Sequence, residues 1–314
     1  MSTDRILITG GCGFVGANLI ETLREKTDYH IRVLDNESMG RADWIKQFDI
    51  DFIRGDIRNR EDLRCALKNI DSVVHLAADT RVMDSIADPT LNFETNVVGS
   101  FALLTVMREM GVKRLVNAST GGAILGEVPP PVSEEMVPNP VSPYGASKLA
   151  VEGYCSAFAG AYGMSATSLR FSNVYGVHSY HKGSVVAHFF KNILAGRPLT
   201  VYGDGSQTRD YVFSRDLAVG ILSAMKSGKS GVFQLGTGRP TTINELIEEI
   251  RKVAVANYAF DVEYKNFREG EIRHTYCNIE KSRRELDYSP TTSLRNGLEV
   301  TWEWFKQNKD LFIS

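Results

Sequence analysis

The stretch RILITGGCGFVG, residues 5–16, decides the fold of this chain. Its first five residues form a short apolar run that ends in glycine, which is typical of a buried parallel strand. Gly10, Gly13 and Gly16 follow, at the start of a segment with helical spacing. Glycines let a backbone turn sharply and approach a pyrophosphate, and the start of a helix offers N–H groups and partial positive charge. The stretch therefore predicts a strand, a turn and a helix that together bind a dinucleotide.

An acidic residue at the end of the next strand indicates which dinucleotide binds. Asp35 closes the apolar run at residues 31–35 and lies 19 positions after Gly16. A carboxylate there accepts hydrogen bonds from both ribose hydroxyls and repels a 2′-phosphate. The glycine spacing is G-x-x-G-x-x-G, a variant of the commoner G-x-G-x-x-G. The combination predicts NAD, in preference to NADP, as the cofactor.

Strand-like and helix-like segments alternate through the first half of the chain. Apolar runs typical of buried strands are separated by segments with helical spacing. The strands are predicted at residues 5–9, 31–35, 51–56, 73–78, 114–119 and 166–171, and the clearest helices at 14–26, 61–69, 91–110 and 143–162. This alternation predicts an α/β fold with a doubly wound parallel sheet, the Rossmann arrangement.

The pattern changes after residue 171. Loop-like segments rich in Gly, Tyr and Ser interrupt shorter elements, although residues 231–238 are typical of one more buried strand. No Pro/Gly-rich linker separates the two parts, so we expect them to pack tightly. We predict an NAD-binding domain at residues 1–172, to which residues 208–236 return, and a smaller C-terminal substrate-binding domain at residues 173–314.

The bulk composition narrows the class of protein. The chain has 314 residues and a formal net charge of −2, so its charge indicates neither nucleic acid nor an anionic membrane as a partner. No apolar run approaches the 18 or more residues of a membrane span, and the strand at residue 5 leaves no room for a targeting peptide. Four scattered cysteines without metal-type spacing predict free thiols, a cytoplasmic location and no metal site.

A second motif carries candidate chemistry. In VSPYGASKLAVEGY, residues 141–154, Ser142 and Pro143 mark the start of a helix, and Tyr144 and Lys148 share one of its faces at i and i+4. An ammonium about 6 Å from a phenol is expected to lower the phenol pKa by about two units, which makes Tyr144 a proton acceptor near neutral pH. Pairs of Tyr and Lys at this spacing are also common in surface packing, so the pair needs support from the rest of the chain.

Taken together, these motifs resemble the extended short-chain dehydrogenase/reductases, and within them the NAD-dependent nucleotide-sugar epimerase/dehydratase family with its UDP-hexose 4-epimerases. The resemblance covers nearly the whole chain. The matching segments are TGGCGFVG (9–16), LDN (34–36), GDI (55–57), HLAA (75–78), NVVGS (96–100), PYGASK (143–148), RFSNVYG (170–176), VYGDGSQTRDYV (201–212), LGTG (235–238) and REGEIRHTYCNIEKS (268–282). It implies that the C-terminal part binds a nucleotide sugar, and that the helices at 91–110 and 143–162 form a homodimer interface.

The resemblance implies a set of cofactor-binding residues in the glycine turn, at the ends of the next strands and in the helix of the Tyr/Lys pair. These residues are Gly10, Gly13, Phe14, Val15, Gly16, Asp35, Asn36, Asp56, Ile57, Leu76, Ala77, Ala78, Asn96, Tyr144 and Lys148. Asp56 and Ile57 are expected to frame the adenine, and residues 75–80 to run along the cofactor. Asn96 is expected to help hold the active-site end of the sheet.

The resemblance also implies a catalytic trio. Tyr144 and Lys148 form the catalytic pair, assisted by the hydroxyl of either Ser119 or Thr120, of which we prefer Thr120. The family usually places this hydroxyl in a segment like Ser-Ser-Ala-x-Val-Tyr-Gly, and the stretch ASTGGAILG, residues 118–126, departs from that pattern.

Four further residues are implied to bind the nucleotide sugar. Asn173, Arg209 and Arg268 match positions that hold the diphosphate, and an arginine can grip a diphosphate in a bidentate manner. Thr275 matches the position that gates the space beside the sugar C2 substituent. A threonine there is expected to leave room for an acetamido group, whereas a tyrosine would fill it.

The reaction implied by this set is 4-epimerisation of a nucleotide-activated hexose or N-acetylhexosamine, with UDP as the expected carrier. Tyr144 takes the proton of the 4-hydroxyl while a hydride passes from C4 to NAD. A 4,6-dehydratase carries Asp-Glu after its catalytic Thr, where this chain has Gly121 and Gly122. The alternatives are a UDP-glucuronate 4-epimerase, another nucleotide-sugar oxidoreductase or dehydratase, and a catalytically silent scaffold that senses NAD.

Overall fold

The strands follow the apolar runs of the sequence closely. The computed structural model describes residues 4–254, 258–267 and 272–312 of the chain. Its strands are β1 Arg5–Thr9, β2 His30–Asp35, β3 Asp51–Arg54, β4 Ser72–His75, β5 Arg114–Thr120, β6 Ser165–Phe171, β7 Asn173–Tyr175, β8 Leu199–Tyr202, β9 Thr208–Arg209, β10 Tyr211–Phe213, β11 Gly231–Leu235, β12 Thr241–Thr242 and β13 Val262–Lys265. The runs predicted at 51–56 and 73–78 end two or three residues early, so the polar residues after β3 and β4 are free to form loops.

Seven of these strands build one parallel sheet in the order β11-β6-β5-β4-β1-β2-β3. The chain runs outward from β1 to β3 and then crosses back to continue from β4 on the other side. Between β1 and β4 the loops at the carboxyl ends of the strands leave in opposite directions, and ligands bind at such a crevice in open α/β sheets. The predicted doubly wound parallel sheet is confirmed.

Helices connect the strands and cover both faces of the sheet. They are α1 Phe14–Lys26, α2 Arg60–Leu67, α3 Val82–Ala87, α4 Pro89–Phe93, α5 Gly99–Met110, α6 Gly122–Leu125, α7 Pro143–Tyr162, α8 Val185–Leu194, α9 Ser214–Ser227, α10 Ile243–Val253, α11 Glu280–Leu286 and α12 Leu294–Gln307. On one face α1 and α9 pack in a core with the apolar side chains of β1, and on the other α2, α5 and α7 do so. None of the helices in the described part of the chain has the length and apolarity needed to cross a lipid bilayer.

The predicted helix at 91–110 differs from the observed one. Residues Glu94–Val98 form a π-helical turn between α4 and α5. A π turn inserts an extra residue into the helical ladder and shifts the face on which the following side chains lie. A sequence pattern averaged over 20 residues does not reveal such a turn. Helix α7 begins at the predicted residue because Ser142 caps it and Pro143 follows, and it ends at the predicted residue because Gly163 adopts a left-handed conformation.

The last third of the chain divides between two cores. Strand β11 joins the main sheet beside β6, and α9 packs on α1. Helices α8, α10 and α12 instead form a separate core with β8 and β10. Between β13 and α11, the chain passes beside Gly122, just after the carboxyl end of β5. The domain boundary at residue 172 stays a prediction.

Candidate active site

The glycine turn after β1 brings the backbone close to the end of β4. Gly10 has a φ of 73°, and a Cβ atom there would lie 2.6 Å from the backbone nitrogen of Ala77. A Cβ atom on Gly16 would lie 2.5 Å from the carbonyl oxygen of Gly10. Both distances are too short for real contacts, so only glycine fits at these two positions. The turn thus brings the start of α1 to the carboxyl edge of the sheet.

Helix α1 begins without a side-chain cap. Gly13 is the N-cap residue and offers no oxygen to the first N–H groups of the helix. Phe14 and Val15 follow, and their side chains pack into the core beside the sheet. The uncapped N–H groups and the partial positive charge at this end match the needs of a pyrophosphate. The chain therefore fits a dinucleotide at the position that the glycine pattern predicts.

Asp35 is held at the end of β2 by two backbone hydrogen bonds. Its carboxylate accepts from the N–H of Cys12 at 2.9 Å and from the N–H of Glu37 at 2.7 Å. Burial raises the pKa of Asp35, and these two bonds oppose the rise. Each oxygen keeps a further lone pair that can accept from a ribose hydroxyl. The nearby carboxylates of Asp35 and Glu37 disfavour a 2′-phosphate, so the donor set fits NAD.

The predicted adenine-binding residues lie beside the end of β3. Arg58 donates to both carboxylate oxygens of Asp56, at 3.0 and 2.7 Å, and Asn36 donates to the same carboxylate at 3.0 Å. The hydrogen bonds from Arg58 lower the pKa of Asp56 to about 2. Ile57 points its side chain into the core against Gly99. Asp56 therefore presents an ionised group at this end of the site, while the side chain of Ile57 supports the loop from beneath.

The loop after β4 lies against the glycine turn. Leu76, Ala77 and Ala78 are half-buried, and the N–H of Leu76 donates to the carbonyl oxygen of Thr9 at 3.0 Å. His75 lies beneath them, with Nδ1 at 2.7 Å from the Thr9 hydroxyl. Burial lowers the pKa of His75 to about 3, so the ring is neutral. A neutral ring can hold the two strand ends together without placing a charge under the cofactor.

Asn96 holds the loop after β4 through hydrogen bonds of its side-chain amide. Its side chain accepts from the N–H of Asp79 at 2.7 Å and donates to the Asp79 carbonyl oxygen at 2.8 Å. The amide also donates to the hydroxyl of Ser147 on α7 at 3.0 Å. Asn96 was predicted both to bind cofactor and to hold this end of the sheet. Because its amide is engaged within the protein, the geometry favours the holding role.

Tyr144 and Thr120 meet where α7 begins and β5 ends. Their side chains are hydrogen-bonded to each other. Burial raises the pKa of Tyr144 to about 12; the bond with Thr120 opposes this rise and the carboxylate of Asp79 adds to it. The predicted lowering of the phenol pKa by Lys148 is therefore wrong, because burial removes the hydration that the charged phenolate needs.

Lys148 is buried one turn after Tyr144 and donates from Nζ to the carbonyl oxygen of Ala118 at 2.9 Å. Burial lowers the pKa of Lys148 to about 8, and the carboxylate of Glu152 opposes that fall. Tyr144, Lys148 and Glu152 thus follow one another at i, i+4 and i+8 along one face of α7. The ammonium is thus fixed to the backbone of β5, two residues before Thr120.

The two candidate hydroxyls of β5 have different surroundings. Ser119 is 3% exposed and donates to Oε1 of Glu152 at 2.6 Å. Arg170 holds the same carboxylate through two further bonds, at 2.9 and 2.7 Å. Ser119 is therefore committed to a buried ion-pair network, whereas Thr120 meets Tyr144, because successive strand residues point in opposite directions. The structure disfavours the alternative in which Ser119 assists catalysis.

The sequence analysis did not predict Glu152 as a site residue, and it placed Asp79 only within the cofactor stretch at 75–80, with no effect on Tyr144. Glu152 continues the spacing of Tyr144 and Lys148 by one more turn, and that spacing was a signal for it. Asp79 affects the Tyr144 hydroxyl from the loop after β4. No periodic pattern marks Asp79, since a loop residue is brought to its neighbours only by the fold.

The predicted substrate residues lie around the end of β9. Asn173 is exposed, and its N–H donates to the carbonyl oxygen of Asp210 at 2.9 Å. Arg209 donates from Nη1 to the carbonyl oxygens of Thr208 and Arg273, at 2.8 and 3.0 Å. Arg268 lies outside the described residues.

Thr275 lies opposite the catalytic end of β5. Its N–H donates to the carbonyl oxygen of Thr208 at 3.2 Å, which fixes the segment beside β9. Its Oγ1 is 3.9 Å from where a Cβ atom on Gly122 would lie. Gly122 comes two residues after Thr120, so Thr275 lies near the Tyr144–Thr120 pair.

Two histidines in the segment after β7 pack against an aromatic ring. Within residues 4–254, 258–267 and 272–312, no three His, Cys, Asp or Glu side chains are grouped so that they could hold a metal ion. His178 and His181 both contact the ring of Trp44, with centroid distances of 4.9 and 5.5 Å. Burial lowers the pKa of each to about 4, so both rings are neutral.

Comparison with known proteins agrees with this geometry. Residues 6–236 match the model of the NAD dependent epimerase/dehydratase family. The fold superimposes on UDP-glucose 4-epimerase from Thermotoga maritima, solved with UDP-glucose, with a TM-score of 0.92, 36% identity, and coverage of 97% of this chain and 99% of that one. It also matches UDP-glucose 4-epimerase from Thermus thermophilus, solved with NAD, with a TM-score of 0.89, 35% identity, and coverage of 96% and 99%.

A third solved structure extends the range of sugars among these similar proteins. UDP-N-acetylglucosamine 4-epimerase from Methanobrevibacter ruminantium, solved with UDP-N-acetylmuramic acid, has a TM-score of 0.91 and 29% identity, and the match covers 98% of this chain and 100% of that one. The family match spans the glycine turn, Asp35, Tyr144 and Lys148. The chain therefore belongs to the NAD-dependent epimerase/dehydratase family, among its nucleotide-sugar 4-epimerases, and NAD is its cofactor.

Proposed function

We propose that this protein interconverts UDP-linked hexoses, including N-acetylhexosamines, by inversion at the sugar C4 carbon. The observation that carries the proposal is the hydrogen-bonded pair of Tyr144 and Thr120, which is followed by two glycines instead of acidic residues. Solved relatives with UDP-glucose and UDP-N-acetylmuramic acid support UDP as the carrier.

Tyr144, Thr120 and Lys148 have different roles in the proposed reaction. Bound at the glycine turn and Asp35, NAD would supply the acceptor and donor of the C4 hydride, and its cationic ring would favour the ionised form of a nearby phenol. Tyr144 acts as the base for the 4-hydroxyl proton and as the acid that returns it. Thr120 orients the sugar hydroxyl toward Tyr144. Lys148, held one helical turn from Tyr144, supplies a fixed positive charge that partly offsets the effect of burial on the phenolate.

The residues after Thr120 favour epimerisation over dehydration. Loss of the C6 hydroxyl from a 4-keto sugar needs an acid and a base at C5 and C6. Gly121 and Gly122 occupy the positions after Thr120 and carry no titratable group. The 4-keto sugar then has one productive course, which is to present its other face and be reduced again.

Proton NMR tests the proposal most directly. We expect purified protein, without added cofactor, to convert UDP-glucose into a mixture with UDP-galactose, because an epimerase retains its NAD through each cycle. The bound nucleotide, released by denaturation and separated by chromatography, should be NAD. A 4-keto-6-deoxy product, net formation of free NADH, or the absence of turnover with every UDP-hexose offered would refute the proposed reaction.

We further propose that the protein is a homodimer through α5 and α7. The faces of these helices and of the preceding π turn expose Val98, Phe101, Tyr154 and Tyr162, each at least 40% accessible. The ring centroids of Phe101 and Tyr154 are 5.0 Å apart, so side chains of both helices form one apolar patch. Two such neighbouring helices bury their exposed apolar side chains well against the same pair of a second copy, as a four-helix bundle.

Light scattering at micromolar concentration should give twice the mass of one chain. Phe101→Asp places a charge in the centre of the patch and should shift the protein toward monomer, whereas Val300→Asp, on the exposed side of α12, should not. A monomeric wild type would contradict the proposed interface, and so would an unchanged dimer in Phe101→Asp.

A further inference from the structure

The segment at residues 176–184 crosses the start of α1, the dinucleotide-binding helix. Asn18, one turn into α1, donates from Nδ2 to the carbonyl oxygen of Val177 at 3.0 Å. Within the segment, the N–H of Lys182 donates to the carbonyl oxygen of Ser179 at 2.9 Å. The segment thus belongs to the second half of the chain but is fastened to the helix that the glycine turn begins.

Aromatic rings hold this segment in place. Trp44, from the loop after β2, contacts His178 and His181. Tyr180 stacks on Trp304 of α12 with a centroid distance of 6.3 Å. Contacts with rings from two different parts of the fold restrict the segment, so a side chain that it carries is presented in a defined direction.

The side chain presented toward α1 is Lys182. Its Nζ lies 5.3 Å from the centre of the Phe14 ring, and Phe14 is the first residue of the helix. Lys182 is half-buried, and none of the described acidic side chains forms an ion pair with it. Burial lowers the pKa of Lys182 to about 8, so the ammonium is still mostly protonated at neutral pH.

The charged groups near Lys182 are cations, so they add to its positive charge. Arg81 and Lys191 both affect the nearby His181 ring electrostatically, as Lys182 does. Arg81 also donates to the carbonyl oxygen of His181 at 3.0 Å. A partly desolvated ammonium among other cations is unfavourable unless an anion compensates it. The uncapped N-terminus of α1 beside Phe14 is where this fold binds a pyrophosphate.

We propose that Lys182 is the counter-ion of the NAD pyrophosphate, and that the segment at residues 176–184 is a strap that keeps NAD bound from one turnover to the next. The position of Phe14 directly after the glycine turn favours the cofactor over the diphosphate of the nucleotide sugar, whose predicted ligands gather around β9. The strap adds to the glycine turn a charge that the turn itself lacks, since Gly10, Gly13 and Gly16 offer only backbone groups.

The test compares NAD retention and exchange in three variants of the holoprotein. Lys182→Met keeps the aliphatic stem and removes the charge, Lys182→Arg keeps the charge, and Lys191→Met removes another cation near His181. Bound NAD per chain is measured after gel filtration, and its release is followed by exchange with labelled NAD. Lys182→Met should release NAD roughly 10- to 100-fold faster than wild type, the range for losing a charged hydrogen-bonding partner.

Two probes distinguish the two diphosphates. ADP-ribose carries the pyrophosphate of the cofactor, and UDP carries that of the nucleotide sugar. Lys182→Met should weaken ADP-ribose binding by about the same factor as NAD and leave UDP affinity unchanged, while Lys182→Arg and Lys191→Met should behave like wild type. Thermal unfolding of each variant checks its fold, and Lys182→Gln replaces Lys182→Met if the latter does not fold.

Wild-type exchange in the neutral Lys182 variants would overturn the proposal. So would a loss of UDP affinity instead of ADP-ribose affinity, an equal loss in Lys191→Met, or an arginine variant that is folded but releases NAD as fast as the methionine variant. None of these measurements uses turnover, so a failure here is distinct from a failure of the proposed reaction.

Discussion

Replacing Tyr144 by phenylalanine should lower kcat for 4-epimerisation by roughly 10²- to 10⁴-fold, the range for losing a positioned general acid and base. The ring stays in place at the start of α7, so the substitution removes the hydroxyl and its bond with Thr120 and little else. NAD should still co-purify, because the glycine turn and Asp35 are untouched. The measurement is steady-state turnover of UDP-glucose, with bound NAD quantified in the same preparation.

Alanine variants at the two candidate hydroxyls provide the matched comparison. Thr120→Ala removes the partner of Tyr144 and should lower kcat with little change in bound NAD. Ser119→Ala removes a bond to the buried Glu152 carboxylate, so it should lower stability more than turnover. A Tyr144→Phe enzyme with nearly wild-type kcat would rule out the mechanism, and a larger kcat loss in Ser119→Ala than in Thr120→Ala would reverse the assignment of the hydroxyl.

Thr275→Tyr should abolish activity on UDP-N-acetylglucosamine while activity on UDP-glucose remains. In wild type we expect the N-acetyl sugar to be epimerised at least as readily as the plain hexose, because threonine leaves space for the acetamido group. The 3.9 Å between Thr275 Oγ1 and the Cβ position of Gly122 brings this side chain near the end of β5 that carries Thr120. A phenol ring in that space would exclude the substituent sterically, and steric exclusion discriminates far more strongly than the roughly 1–3 kcal/mol of an added apolar contact.

The measurement is kcat/KM for both sugars in wild type and variant, with Thr275→Ser as the control that keeps a small side chain and should keep both activities. Equal losses for both sugars in Thr275→Tyr would show that Thr275 supports the fold and does not gate the sugar. If wild type does not turn over UDP-N-acetylglucosamine, the predicted breadth of substrates is wrong.

Much of the cofactor site was predictable from the sequence because its determinants are local. Only glycine fits at positions 10 and 16, because a Cβ atom there would collide with backbone atoms of the turn itself or of the segment after β4. Asp35 ends a strand, and its position relative to the turn follows from the standard strand–helix–strand unit. The predictions of NAD, of the parallel sheet and of the epimerase/dehydratase family are confirmed for this reason.

The sequence by itself determined the order of elements, the identity of the cofactor and the face of α7 that carries Tyr144 and Lys148, since spacing along one helix or strand is a local property. Only the tertiary structure decided which β5 hydroxyl faces Tyr144, and that burial raises the pKa of the phenol instead of an ammonium lowering it. The same holds for Lys182, which meets Phe14 across 168 positions of the chain. Hydration, charge pairing and hydrogen bonding depend on which distant segments come together, and no pattern within a single segment records that.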